Sequence, residues 1–80
     1  MPNPFRNSTT IQVHVPSASQ GTLSIYDLTG KNIYRIEQHF DSGLNEIVIR
    51  SDKFPSDGIY YYKLSVNDYT ETRKMILIRQ

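Results

Sequence analysis

The stretch IYYYKLSV, residues 59–66, decides the fold. Read with period two, it puts Tyr60, Tyr62, Leu64 and Val66 on one side and Tyr61, Lys63 and Ser65 on the other. That is the pattern of a strand with one face in a core and one face in water. Working outward, β-branched and aromatic runs bounded by turn residues mark further strands at 9–15, 22–27, 32–40, 46–50 and 69–78. Ile11, Val13 and Val15 share one face; Gln12 and His14 share the other. Leu23 agrees in parity with Ile25, and Tyr34, Ile36 and Phe40 oppose Arg35, Glu37 and His39. Ile47 and Ile49 read as inward, although Val48 between them is apolar too. No segment carries a helical period, and no repeat or low-complexity run interrupts the chain.

The turns have local causes. In DLTGK (27–31), Asp27 takes the first and Gly30 the fourth position of a type I turn, a tight hairpin. DSG (41–43) reads as the next hairpin closure. In FPSDG (54–58), Pro55 presets a turn and Gly58 releases it. Asn67 and Asp68 join the last two strands, both tolerant of left-handed backbone. PNPF (2–5) is too rich in proline for a central strand and suits a sheet edge. Short strands separated by such turns predict an all-β, immunoglobulin-like antiparallel β-sandwich, one domain over residues 1–80.

The last strand departs from the rule. Met75, Ile76, Leu77 and Ile78 are all apolar, so both faces of the strand are apolar. A sandwich covers only one face of each strand. Either Met75 and Leu77 or Ile76 and Ile78 therefore need cover from elsewhere, and burying one such side chain contributes about 1.5–3 kcal/mol. The plainer reading is a strand that crosses between sheets, or one capped by PNPF. Lys74 and Arg79 flank the run as charges that discourage aggregation.

Composition narrows the function. An 80-residue chain buries only about 60–65% of its unfolded surface. It has no cysteine, which removes disulfides and thiolate metal sites. Nine Lys and Arg are dispersed against eight Asp and Glu, with no basic run to attract nucleic acid. No stretch approaches the ~18–20 apolar residues of a membrane-spanning helix. His14 and His39 fall on polar strand faces without a carboxylate at ligand spacing, so no metal site is expected. No serine sits in a nucleophile elbow, Glu37 and Glu46 read as solvated, and TGK lacks the rest of a phosphate loop. The residues describe a module that is recognised, with no cofactor and no catalysis. Tyr61 is the one hint of a ligand, since an outward tyrosine can stack on a sugar. That leaves an alternative of another class: a fibronectin-like accessory module that binds carbohydrate or acts as a spacer.

Five segments in order carry a resemblance: PNPFRNSTTI (2–11), IYDLTGK (25–31), GLNEIVI (43–49), GIYYYKL (58–64) and TRKMILI (72–78). Together they resemble the C-terminal sorting domain, type A, of cargo proteins of the Bacteroidetes type IX secretion system. The resemblance covers nearly the whole chain. It implies a seven-stranded immunoglobulin-like sandwich that directs an attached cargo protein across the outer membrane. It further implies passage through the periplasm to the cell surface or medium, and removal of the domain by a surface sortase. The implied partners are the N-terminal cargo and the outer-membrane translocon and sortase components. Carried over by position, Lys74, Met75, Ile76, Leu77 and Ile78 match the terminal motif, where recognition by the machinery is expected. Gly58 and Tyr60 match a Gly-x-Tyr motif, and Asp27 and Gly30 the hairpin; all four have structural explanations. The family's Leu-Pro-Ser-Gly run is here one residue longer and begins with Phe54. The cleavage position would lie before Pro2. An exposed edge strand could also pair weakly with a second copy.

Overall fold

Residues 4–5 and 7–78 are described by a computed structural model. The alternating segments become seven strands: β1 (Pro4–Phe5), β2 (Ser8–Val15), β3 (Ser19–Tyr26), β4 (Asn32–Phe40), β5 (Gly43–Arg50), β6 (Gly58–Val66) and β7 (Tyr69–Leu77). A single 3-10 turn, Ser51–Lys53, is the one helical piece among the described residues. The strands form a five-stranded sheet in the order β1-β7-β6-β3-β4 and a two-stranded sheet, β2-β5. Every pairing is antiparallel except β1 with β7, which is parallel.

Burial follows the alternation. Ile11, Val13, Val15, Ile47 and Ile49 from the small sheet meet Leu23, Ile25, Phe40, Tyr60, Leu64 and Val66 from the large one. Tyr34 and Ile36 are only half-buried, because β4 is an edge strand and its inward face overhangs the smaller sheet. Val48 is exposed, which agrees with the inward reading of its neighbours. Gly21 lies beneath the Phe40 ring. A Cβ there would stand 2.6 Å from the ring and 2.7 Å from Val66, so only glycine lets the ring settle over β3.

Two expectations need correction. The 41–43 turn does not close a hairpin: β4 belongs to the large sheet and β5 to the small one, so this segment crosses between layers. Phe54, read as part of a loop, is fully packed in the core. Strand boundaries also move: β3 begins at Ser19 and β5 at Gly43, each three residues before the sequence reading, and β7 ends at Leu77. The PNPF segment does take a sheet edge at Pro4 and Phe5, opposite Ile76 and Leu77. Pro2, Asn3, Arg79 and Gln80, and the junction ahead of Pro2, lie outside the described residues.

Candidate functional site

The register of β6 against β7 sorts the terminal residues. The two-residue connection at Asn67 and Asp68 pairs Val66 with Tyr69, and every later pair follows: Tyr61 with Lys74, Tyr60 with Met75, Ile59 with Ile76, Gly58 with Leu77. Asn67 supplies the left-handed backbone of that connection, at φ 56°. Residues directly opposite share a face. Met75 and Leu77 therefore join Tyr60 on the inner face, at 4% and 1% exposure. Lys74, Ile76 and Ile78 turn outward; Lys74 is exposed, Ile76 half-buried, and Ile78 44% exposed. Of the five terminal-motif residues, the structure leaves these three accessible.

The same register gathers the motif residues at one end of the sandwich. The hairpin after β3, the start of β6 and the end of β7 lie side by side there, since Tyr26 is opposite Tyr61 and Gly58 opposite Leu77. Asp27 organises the hairpin. Its Oδ1 accepts from the Thr29 amide at 2.9 Å, the Thr29 hydroxyl at 2.6 Å and the Lys31 amide at 3.0 Å. These donors, the Thr29 hydroxyl first, hold its carboxyl below the ordinary aspartate pKa. Gly30 donates its amide to the Asp27 carbonyl at 3.0 Å and stands at φ 90°, as the turn requires. Tyr60 donates its hydroxyl to the Ser56 carbonyl at 2.6 Å, and its ring meets Phe54 edge to face at 4.7 Å. Those two contacts fix the longer FPSDG loop, with Asp57 exposed and Gly58 at φ 143° letting the chain enter β6. Asp27, Gly30, Gly58 and Tyr60 thus all have structural work to do.

The first half of β7 differs. Tyr69, Glu71 and Arg73 point inward by register, and Glu71 and Arg73 line an open groove between β7 and β2. Glu71 accepts from the Tyr69 hydroxyl at 2.9 Å and pairs with Arg73. The bond to Glu71 raises the pKa of Tyr69, and burial followed by the Glu71 charge raises that of Tyr62 deeper in the groove. Among the described residues no three His, Asp or Glu stand where they could hold a metal ion. His39 lies on the surface, 3.5 Å from Asp41.

A family model for the secretion system C-terminal sorting domain matches residues 1–79. The chain belongs to this family. It is the sorting domain of type IX secretion, and the family supports a signal role for a secreted or surface-targeted protein. Among solved structures, this sorting domain is similar to part of dimeric latent PorU from Porphyromonas gingivalis. Sequence identity is 27%, the TM-score 0.76, and the match covers 99% of this chain and 9% of that one. The domain thus spans under a tenth of that protein's length. No curated protein matches the chain.

Sequence alone puts recognition on Lys74, Met75, Ile76, Leu77 and Ile78 of the sorting domain's last strand, with one face packed and the other presented. It does not connect Ile59 and Lys63 with that strand. The signal was present: a two-residue connection at Asn67 and Asp68 fixes which β6 residues stand beside Lys74 and Ile76.

Proposed function

We propose that this sorting domain is the export address of a larger protein, carrying an attached N-terminal cargo across the outer membrane through the type IX translocon. A surface sortase then removes it, as in the family pattern. Recognition falls on the outward residues of the terminal strand, Lys74, Ile76 and Ile78, while Met75 and Leu77 anchor that strand. The observation that carries this reading is the division of one apolar run between Met75 and Leu77, buried in the core, and Ile76 and Ile78, half-buried and exposed on the other face.

The test is a fusion of residues 2–80 to a periplasmic reporter in a host with the secretion system. The intact fusion reaches the surface or the medium. The double substitution Ile76→Asn, Ile78→Asn, which spares Met75 and Leu77, traps it in the periplasm. Export of that variant at the intact level sinks the assignment. The alternative carbohydrate module rests on Tyr61, which is 38% exposed in the same row as Tyr26. Glycan binding abolished by Tyr61→Ala, with export unchanged, would favour it.

A further inference from the structure

We infer that the recognised surface is composite: β6 supplies half of it, and its partner is a protein surface with an apolar cleft rimmed by carboxylates. This deepens the export reading and rests on it. The outward face of β6 carries Ile59, Tyr61 and Lys63; that of β7 carries Thr72, Lys74 and Ile76. Ile59 stands opposite Ile76, Tyr61 opposite Lys74, and Lys63 opposite Thr72. Lys63 and Lys74 are therefore diagonal neighbours, within reach of one partner group. Both are exposed, and neither has an ion-pair partner among the described residues.

The face is graded. At the end of the sandwich it is apolar, with Ile59 38% and Ile78 44% exposed. Among the described residues, four of the seven large exposed hydrophobics, Leu28, Ile59, Tyr61 and Ile78, lie at this end, which sets it apart from scattered surface residues. One step along, the face becomes aromatic and basic at Tyr61, Lys74 and Lys63. No carboxylate stands on the outward face of β6 or β7: Glu71 turns into the groove and is taken by Arg73, Asp27 is held by the donors of its own hairpin, and Asp57 lies in the loop before β6, off both strands. Charges of one sign beside an apolar patch fit a surface of opposite sign around an apolar recess. Side chains of β6 lie outside the terminal motif, so a receptor reading only that motif would ignore them.

The experiment is export of the same reporter fusion carrying Lys63→Glu, Lys63→Arg, Lys63→Glu with Lys74→Glu, or Ile59→Asn. Thermal unfolding of each purified fusion checks folding, because these side chains are exposed. Lys63→Glu is expected to lower surface reporter several-fold, and the double reversal about tenfold or more, through lost steering and new repulsion. Lys63→Arg is expected to export normally, and Ile59→Asn to lose several-fold. Normal export of both Lys63→Glu and Ile59→Asn, while Ile76→Asn with Ile78→Asn is trapped, overturns the composite surface and leaves the export reading intact. Normal export of every variant overturns both. Co-sedimentation with phosphatidylglycerol vesicles provides the last arm. Binding that the double reversal abolishes would make the partner an anionic lipid surface and overturn the protein partner; no sedimentation supports it.

Discussion

Strand β7 is two strands in one. Its first part, residues 69–74, is polar on both faces, and its inward Glu71 and Arg73 line an open groove. Its last part, residues 75–77, runs on into Ile78 as an apolar stretch, with Met75 and Leu77 sealed in the core, Ile76 half-buried on the other face and Ile78 exposed. Both parts make the same backbone ladder with β6. What separates them is what lies across the sandwich. The second part packs with Tyr60 and the rest of the buried cluster, whereas the first looks onto the gap beside β2. The ladder gives the strand its direction; side-chain burial decides which part is held firmly.

The largest effect that could break this comparison is Leu77→Ala, which removes a fully buried side chain at the sheet end. A loss of about 2–5 kcal/mol in denaturant unfolding is expected, and a loss below 1 kcal/mol would mean that the terminal part is not core. Tyr60→Phe comes next: it deletes the bond to Ser56 but keeps the ring against Phe54. It is expected to cost about 1 kcal/mol and to raise hydrogen exchange in the loop before β6.

The two parts also answer to opposite ends of the pH scale. Beside the terminal part, Asp27 has a folded pKa below its unfolded one. Its contribution is complete above the unfolded value and is lost as pH falls through the folded value. Carboxyl NMR should place its midpoint below about 3.9, and a midpoint at or above that would remove the turn's hold. Beside the polar part, Tyr62 and Tyr69 have raised values. Their contribution is complete below the unfolded tyrosine value and fades as pH rises beyond about 10. The smallest effect is Arg73→Ala. Its guanidinium is exposed although paired to Glu71, so the midpoint of thermal unfolding should not move measurably. A clear drop would show that the polar part is held by its charges.

Much of this was legible in the sequence because alternation is a local signal. The rows from Ile11 to Val15 and from Tyr60 to Val66 are buried as their parity demands, except that Tyr62 is only half-buried over the groove beside β2. The Asp27 hairpin is legible for the same reason: its donors all lie within four residues. Sheet membership is not local. Nothing within 41–43 distinguishes a hairpin from a crossing, since Gly43 suits either; only the pairing of β5 with the distant β2 decides it. Phe54 was missed because it lies outside any alternating run, and its burial depends on the edge of the Tyr60 ring. On the terminal run, sequence showed that one apolar face exceeded the domain's needs. Which face it was depended on the β6 register.

One short pairing has a mechanical meaning. Pro4 and Phe5 run parallel to Ile76 and Leu77, so the first and last strands of the domain lie side by side and point the same way. A pull on the polypeptide ahead of β1 against a grip on the end of β7 would slide these strands past one another. Their bonds would then take the load together, in shear, rather than peel open in turn. A domain tugged from both ends during transit would meet that force at a strand whose Leu77 is buried in its core.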